Sequence, residues 1–224
     1  YDVVDNEYFQ RQAEAARSQS AKLRQQYQLP EKFFLASARF VEKKNLFRLL
    51  QAYARYRELT EKAESGKWKA ESWDLVLLGD GALKSDLVLL ISELRLQNCV
   101  HLPGFKQYDE LPVYFGLAQV FVHASATEQW GLVVNEAMAS GLPVLVSSRC
   151  GCAMDLVSSG VNGFTFDPAN VEELAQLLAR VSGDGFPLAD FGAASRRIIA
   201  NWGTERFATG LRDAEFPGPI RRAG

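Results

Sequence analysis

Two carboxylates dominate the chemistry of one stretch of this chain, A-S-A-T-E-Q-W-G-L-V-V-N-E-A-M-A-S-G-L-P-V, which runs from Ala124 to Val144. Glu128 comes just before a helical pattern, and Glu136 lies inside that pattern with seven residues between the two. A carboxylate only accepts hydrogen bonds, so it suits pairs of sugar hydroxyls better than phosphate. The plainer alternative, which stays open, is that Glu128 lies in a solvated loop and Glu136 on a solvated helix face.

The residues between the two carboxylates suit an anion. Gly131 leaves room for a ligand to approach the backbone closely. The amides of Gly131, Leu132 and Val133 are first-turn donors, which have no partner inside their own helix and favour negative charge. Together with the two glutamates, these donors favour an anionic ligand that carries a sugar.

A second set of charges follows another apolar run. Phe33 to Ala38 (F-F-L-A-S-A) is typical of a short buried strand, and R-F-V-E-K-K-N comes directly after it. Arg39 and Lys44 therefore stand five residues apart, between a strand end and a helix start. A basic solvated loop is the alternative interpretation of this cluster.

The elements around these residues predict where they meet. Gln119 to His123 has the composition of a buried strand, the helix begins at Leu132, and a further strand, Pro143 to Val146, follows the Ser140–Gly141 stop. A strand, turn, helix and strand in this order form a parallel crossover unit. Open parallel sheets bind ligands in the crevice beyond their carboxyl ends, and both charged turns lie at such ends.

The same alternation runs along the chain and predicts an α/β fold with a doubly wound parallel sheet. The predicted strands are Phe33–Ala38, Trp73–Leu78, Val100–Phe105, Gln119–His123, Pro143–Val146 and a last short one within Ser159–Pro168. The predicted helices are Glu7–Tyr27 with Asp5 or Asn6 as its cap, Leu46–Leu59, Leu83–Leu96, a short one with Pro112 in its first turn, Val171–Val181 and Ala189–Asn201. Asn162–Gly163 is expected to supply the positive φ of a tight turn.

Composition restricts the class of protein. The chain has 224 residues, 47% of them hydrophobic, and a formal charge of -2, which gives no reason to expect a nucleic-acid partner. No apolar run approaches the ~20 residues that span a bilayer. Three cysteines and two histidines form neither a disulfide framework nor a zinc site, and indicate a reducing, cytoplasmic compartment. The first residue is Tyr1, so we expect a piece of a longer chain.

The stretch from Glu128 to Val144 resembles the nucleotide-sugar signature of the retaining group 1 (family 4) glycosyltransferases, which have the GT-B fold. The resemblance combines E-x7-E with G-L-V, E-A-M-A and G-x-P-V in register. It implies that Glu128 lies by the donor hexose, that Glu136 holds the ribose hydroxyls, and that the amides of residues 131–133 bind the diphosphate.

Further segments match the same family in order. Arg39, Phe40, Lys44 and Asn45 fit R-[FL]-x3-K-[GN], which implies that Arg39 and Lys44 clamp the donor diphosphate. Gly79-Asp80-Gly81 fits G-[DE]-G, whose small residues let a turn run beneath the nucleotide, although Asp80 could equally shape a tight turn without touching a ligand. The segment ending at Phe105 resembles the one whose backbone faces the base.

Some positions depart from the family pattern. His123 and His101 are interpreted as structural rather than catalytic. Cys152 replaces a small residue, and Asp155 stands where Glu is usual, which leaves a capping role at that position in doubt.

The resemblance also implies a domain plan. Residues 1–213 would form the donor-binding domain, residues 214–224 a frayed tail, and an N-terminal acceptor domain would be absent from this chain, leaving it inactive alone. The donor would be a nucleotide-diphosphate sugar, and the acceptor a sugar, lipid or small molecule.

No D-x-D pair occurs, so we expect no metal cofactor. Peripheral association of the full-length protein with the inner face of a membrane stays open. The alternatives are a nucleotide-sugar epimerase of GT-B fold and a non-catalytic nucleotide-sugar-binding module.

Overall fold

A computed structural model of the chain describes residues 3–61 and 72–215. The strands are β1 Phe33–Ser37, β2 Asp74–Leu78, β3 Val100–Gly104, β4 Val120–His123, β5 Val144–Ser147 and β6 Gly163–Phe166. The helices are α1 Asn6–Ser18, α2 Ser20–Tyr27, α3 Leu46–Glu61, α4 Lys84–Glu93, α5 Leu111–Leu117, α6 Leu132–Ala139, α7 Ala153–Leu156, α8 Val171–Ser182, α9 Leu188–Ile199 and α10 Thr204–Glu215. Short 3-10 turns cover Glu42–Lys44 and Ala200–Trp202.

The six strands form one sheet in the order β3-β2-β1-β4-β5-β6, and every pair is parallel. Successive strands step outward from β1 to β3, and the chain then returns to place β4 on the other side of β1. The direction of winding therefore reverses between β1 and β4. The predicted doubly wound parallel sheet is confirmed.

Helices cover both faces of the sheet, which explains why the strands are apolar throughout rather than alternating. Phe34 and Ala36 of β1 belong to a core shared with α3, α4 and α8. Phe33 and Leu35 point to the other face, where the core includes side chains of α1, α5, α6 and α7. Because successive strand residues face opposite ways, the four apolar residues of β1 serve both layers.

The predicted single helix from Glu7 to Tyr27 is wrong, because the structure divides it at Gln19 into α1 and α2. The hydroxyl of Ser18 donates to the carbonyl of Ala15 at 2.8 Å, a local bond that competes with regular helix geometry. At the start of α1 the predicted cap is confirmed for Asp5, whose carboxylate accepts from the amide of Tyr8 at 2.9 Å. Asn6 instead donates to the carbonyl of Ile199, at the end of α9.

The turn before β6 also differs from its prediction. The positive φ lies at Gly160, at 77°, and not at Asn162 or Gly163. Gly163 is needed for space, since a Cβ there would meet the carbonyl oxygen of Val144 at 1.9 Å. Asn162 is buried and fixes the turn by accepting from the amide of Ser158 and donating to the carbonyl of Leu156.

Two predicted segments fall mainly outside the described residues. The charged surface insertion expected at Glu61 to Ser72 covers residues 62–71, which the structure does not describe. The expected tail, residues 214–224, is described only at 214 and 215, where it continues α10. Within residues 3–61 and 72–215, no helix combines the length and apolar character needed to cross a bilayer.

A pair of helical glycines tests the packing between α1 and α5. A Cβ on Gly116 would lie 2.8 Å from the carbonyl oxygen of Ala13 and 2.9 Å from the Cβ of Ala16, whereas one on Gly210 would meet nothing within 4 Å. Gly116→Ala should therefore lower the free energy of unfolding by about 1–3 kcal/mol despite alanine's better helix propensity. Gly210→Ala should be neutral or stabilising by about 0.5–1 kcal/mol. Urea unfolding of both variants measures the difference, and equal effects would contradict the packing.

Candidate functional site

A cavity of about 630 Å³ opens at the carboxyl edge of the sheet, beside the point where the winding reverses. All the predicted site residues except Gly81 line it. Its lining consists of Ser37, Ala38, Arg39, Lys44, Leu78, Gly79, Asp80, Phe105, Lys106, Leu111, Glu128, Gln129, Trp130, Gly131, Leu132, Val133 and Glu136. Segments that are far apart in sequence thus meet at the location where open parallel sheets bind ligands.

The first turn of α6 faces this cavity. Gly131 precedes the helix with a φ of 104°, a left-handed conformation that side chains other than glycine rarely adopt. None of the described residues accepts a hydrogen bond from the amides of Gly131, Leu132 or Val133. These three donors and the positive end of the helix dipole give the wall an affinity for anions.

Glu128 is paired with two lysines. Its Oε2 accepts a hydrogen bond from Lys44 Nζ, and its Oε1 lies 3.6 Å from Lys43 Nζ. Burial raises the pKa of the Glu128 carboxyl, but the bond from Lys44 and the charges of both lysines outweigh burial and hold that pKa below its usual value. Glu128 is therefore an ionised carboxylate that lines the cavity, and it is not in a solvated loop.

The backbone of this loop is fixed by the loop after β5. The amide of Gly151 donates to the carbonyl of Glu128 at 3.0 Å, and the amide of Cys152 donates to that of Trp130 at 3.1 Å. A Cβ on Gly151 would lie 1.8 Å from the carbonyl oxygen of Gln129, so only glycine allows the two loops to pair this closely. The sequence C-G-C thus helps to position Glu128. The N-cap of α7 is Cys152, which makes no side-chain cap, and no described residue donates a hydrogen bond to the Asp155 carboxylate.

The turn that carries Lys44 is equally constrained. Asn45 adopts a left-handed conformation, with φ at 57°. Its buried amide donates to the carbonyls of Ala124 and Pro168, at 3.1 and 2.8 Å. The amide of Ala126 donates to the carbonyl of Lys43 at 2.8 Å, so the loops after β1 and β4 are joined directly.

Arg39 and Phe105 lie at the rim of the cavity. Both are exposed, and no residue in the described ranges accepts a hydrogen bond or forms an ion pair with the Arg39 guanidinium. This arginine can therefore turn towards a ligand without breaking an existing contact, in contrast to Lys44.

The turn after β2 packs on the turn after β1. A Cβ on Gly79 would lie 1.8 Å from the carbonyl oxygen of Ala38, and one on Gly81 would lie 2.6 Å from that of Phe40. Asp80 accepts from the amide of Gly81 at 2.7 Å and from Lys84 at 2.8 Å. Its carboxylate thus shapes its own turn, while Asp80 also lines the cavity.

Glu136 is half-buried at the wall of the cavity, one turn beyond the three amides. Burial raises the pKa of its carboxyl from 4.5 to about 7, and no described residue forms an ion pair with it. It does not lie on a solvated helix face. A carboxyl held without a counter-charge in a ligand cavity is a candidate for binding hydroxyl groups.

The two histidines do not contribute a titrating group to the cavity. His123 is 2% exposed beneath Gly131, and its Nε2 has no partner among the described residues. Burial, followed by the charge of Lys44, lowers the pKa of His123 to about 4, so its ring is neutral at physiological pH. His101 Nε2 lies 2.6 Å from Asp74 Oδ2 on neighbouring strands.

Sequence reasoning assigned no role to two residues that shape the site. Lys43 pairs with Glu128, and the only signal for it was the doubled lysine in E-K-K-N. Trp130 lines the cavity, donates from its indole to Asn135 at 3.1 Å, and packs against Trp202 with ring centroids 5.3 Å apart. Trp130 stands between Glu128 and Gly131, two predicted site residues, and this position in the sequence indicates that it lies near the cavity.

Known structures define the class of fold. The Anabaena protein Alr3699/HepE, solved in complex with UDP, covers 95% of this chain with a TM-score of 0.74 and 25% identity, while the chain covers 56% of that protein. The C-terminal domain of a group 1 glycosyl transferase (LpcC) from Francisella tularensis has a TM-score of 0.70 at 20% identity, with 90% of this chain and 99% of that one covered. The predicted GT-B-type α/β fold is confirmed.

The family follows from the sequence comparisons. Residues 19–198 match the model of the group 1 glycosyl transferases, and the chain therefore belongs to this family. Sulfoquinovosyl transferase SQD2 of Arabidopsis thaliana is 32% identical over 149 residues, which are 65% of this chain and 28% of that protein. The 2-deoxystreptamine glucosyltransferase of Streptomyces kanamyceticus is 27% identical over 218 residues, 96% of this chain and 54% of that protein. The chain thus spans about half or less of these relatives.

The raised pKa of Glu136 makes a prediction about stability. Its carboxyl titrates near 7 in the folded chain and at its ordinary value of 4.5 when exposed, so the folded state binds the extra proton between these values. Stability should therefore fall as pH rises from about 4.5 to 7, because the ionised form is penalised only in the folded state. Glu136→Gln should be about 1–3 kcal/mol more stable than the parent at pH 8, with a smaller difference at pH 5.

Urea unfolding at the two pH values measures this. Glu93, an exposed glutamate on α4, provides the matched control, and Glu93→Gln should give no pH-dependent difference. A Glu136→Gln variant no more stable than the parent at pH 8 would show that this carboxylate is well solvated.

Proposed function

We propose that this chain is the donor-binding half of a retaining glycosyltransferase, which transfers a sugar from a nucleotide-diphosphate sugar. The observation that carries the proposal is the convergence in one cavity of three unpartnered amides, the cations Arg39 and Lys44, and a half-buried carboxylate without a counter-charge. Anion donors and hydroxyl acceptors side by side match the two chemical parts of a nucleotide sugar. Membership of the group 1 family and the UDP bound to a structural relative give independent support.

In this proposal the diphosphate lies between the first turn of α6 and the two cations. The Arg39 guanidinium offers a planar fork, while the Lys44 ammonium offers a point charge. The leaving diphosphate becomes more negative as the glycosidic bond breaks, so fixed positive groups stabilise the transition state more than the bound donor. The α6 amides, Arg39 and Lys44 would together supply the positive charge that a metal ion provides in other enzymes. Because no metal would then be needed, added chelator should leave donor binding unchanged.

The two glutamates would bind different sugars of the donor. Glu136 lies on the α6 wall and would accept hydrogen bonds from the ribose hydroxyls, a role that requires its ionised form. Glu128 lies at the Lys44 end of the cavity and would accept from hydroxyls of the transferred hexose. Phe105, Gly79 and Asp80, at the ends of β3 and β2, would border the base and the nucleotide.

The acceptor would be a sugar, lipid or small molecule bound by an N-terminal domain outside this chain. Three large apolar side chains at the carboxyl edge support a covering partner: Phe105 at 66%, Leu132 at 37% and Met154 at 94% exposure. Phe105 and Leu132 line the cavity, and exposed apolar groups beside a ligand cavity suit a surface that another domain covers. The cytoplasm, including the inner face of a membrane, remains our proposed location.

The cavity favours transfer over epimerisation. An epimerase would need histidines and several carboxylates that can exchange protons at the sugar. The only described histidines are His101, outside the cavity lining, and His123, which is buried and neutral. A non-catalytic nucleotide-sugar-binding module would show the same binding without transfer, and reconstitution with an acceptor domain separates these two functions.

The clamp is tested by the affinity for nucleoside diphosphates. A charge-assisted hydrogen bond contributes about 1.5–3 kcal/mol, so Arg39→Ala or Lys44→Ala should weaken binding about ten- to a hundredfold. Arg39→Lys should also lose affinity, because the planar fork is removed. Calorimetry with UDP, GDP and ADP measures this, with Arg11→Ala on the exposed face of α1 as a control for lost charge. Binding by Arg39→Ala at the parental affinity would refute the clamp.

Separate roles for the glutamates predict a divided response. Glu136→Ala should weaken the nucleoside diphosphate and the nucleotide sugar alike, since ribose is common to both. Glu128→Ala should leave the diphosphate unchanged or bound slightly more tightly, because Lys44 is released, yet weaken the nucleotide sugar. Calorimetry with UDP and UDP-glucose, or the corresponding pair with another base, compares these effects. An equal loss of diphosphate affinity in both variants would contradict the assignment.

The isolated chain should bind donor without transferring sugar. Orientation of the donor against the acceptor lowers the reaction barrier by about 7–11 kcal/mol in favourable cases. This contribution is missing here, because the domain proposed to bind the acceptor lies outside this chain. The chain is mixed with donor and a panel of sugar and lipid acceptors, and release of nucleoside diphosphate is followed together with product mass. Rapid acceptor-dependent turnover would show that all catalytic groups are present, and would end the half-enzyme proposal.

A further inference from the structure

The two oxygens of Glu128 face different lysines, and each lysine lines a different cavity. Lys44 contacts Oε2 and lines the cavity described above, and both side chains are 14% exposed. Lys43 lies 3.6 Å from Oε1 and is 45% exposed. It lines a neighbouring cavity of about 650 Å³ together with Asn45, Arg48 and other residues of the β1–α3 segment.

The proposed function places two demands on Lys44. Its ammonium is the main partner of Glu128, and it is also a proposed ligand of the diphosphate. A diphosphate carries more charge than one carboxylate, so donor binding draws the ammonium towards the phosphates. Glu128 would then keep its low exposure but lose its strongest counter-charge, and a carboxylate left unpaired in such a place is destabilised.

We propose that Lys43 is a positioning residue, which becomes the counter-charge of Glu128 when Lys44 turns to the donor diphosphate. Lys43 would hold the carboxylate ionised and correctly placed for the hexose hydroxyls, without itself touching the nucleotide. This inference rests on the proposed function, because the arrival of the diphosphate triggers the exchange of partners.

The geometry favours Lys43 over other groups for this role. The carbonyl of Lys43 accepts a hydrogen bond from the amide of Ala126 at 2.8 Å. Ala126 stands two residues before Glu128, so this bond holds the backbone of Lys43 next to the loop that carries Glu128. The charged or titratable side chains that interact with Glu128 are Lys44, Lys43, His123 and the thiols of Cys150 and Cys152. His123 is neutral, and burial raises the pKa of the two thiols to about 11 and 12, so only the lysines supply a positive charge. The nearby Arg48 donates to the Asn45 side chain at 3.1 Å and forms no ion pair with Glu128.

A test without ligand uses Lys44→Met as a substitute for the departure of Lys44. The pKa of Glu128 is measured by carboxyl carbon NMR in the parent, in Lys43→Met, in Lys44→Met and in the double variant. Removing Lys43 should raise this pKa more in the Lys44→Met background than in the parent, because Lys43 is then the sole counter-charge. Lys22→Met, on the exposed face of α2, should give no such difference in either background. An equal effect of Lys43→Met in both backgrounds would overturn the proposal.

A second arm measures affinity by calorimetry with UDP and UDP-glucose, and with GDP and GDP-mannose. Lys43→Met should leave the diphosphate affinity within about twofold and weaken the nucleotide sugar about three- to tenfold, as expected for a partly exposed ion pair. Lys43→Arg should restore most of the loss. Equal losses for diphosphate and nucleotide sugar would assign Lys43 to the diphosphate and overturn its role at Glu128.

The two experiments distinguish a failure of the proposed role of Lys43 from a failure of the proposed donor-binding function. If the parent chain binds none of these nucleotides, the proposed function fails and the exchange of partners fails with it. If the parent binds them but Lys43→Met responds like Lys22→Met, the inference alone is wrong and the donor site stands.

Discussion

The site depends on how closely the loops at the carboxyl edge of the sheet approach each other. Gly79 lies against the carbonyl of Ala38, and Gly151 lies against that of Gln129, at distances that exclude a side chain. One hydrogen bond from the Gly151 amide to the Glu128 carbonyl completes the second contact, and one from the Ala126 amide to the Lys43 carbonyl joins the loops after β4 and β1. These backbone contacts turn four separate strand ends into one rigid wall, and a preorganised wall binds charge without reorganising first.

Two carboxylates on this wall meet opposite electrostatic conditions. Glu128 is ionised because two lysines compensate its burial, whereas Glu136 has no compensation and titrates near neutral pH. The lysines around Glu128 hold its negative charge in a fixed place. Glu136 has no such partner, so a ligand hydroxyl that donates a hydrogen bond to it stabilises its carboxylate strongly. The loss of stability that an uncompensated carboxylate causes is the kind of strain that functional sites retain.

Much of this fold was predictable from the sequence. Apolar runs such as Phe33 to Ala38 and the helical pattern after Gly131 predicted every strand of the sheet and most helices. The break at Gln19 was missed because the Ser18 hydroxyl bonds to the carbonyl of Ala15, a local contact that has no strong sequence signal. The positive φ of the turn was assigned to Asn162–Gly163 but lies at Gly160, because Asn162 instead holds the turn through bonds to Ser158 and Leu156.

The site was predictable in its members but not in its electrostatics. The motif around Glu128 and the turn carrying Lys44 were both identified, yet their ion pair joins residues 84 positions apart. Spacing along the chain carries no information on such a contact. The same limit applies to Glu136, since its raised pKa depends on burial that the folded chain creates.

The central claim is that a diphosphate binds at the first turn of α6. Its most direct test is a backbone amide NMR titration of the chain with UDP, and in parallel with uridine, followed by the same pairs for guanine and adenine. The proposed site predicts that a diphosphate shifts the amides of Gly131, Leu132 and Val133 strongly, while its nucleoside leaves them nearly unchanged. Diphosphate binding that leaves these three amides unshifted, or no binding at millimolar concentration, would contradict the claim.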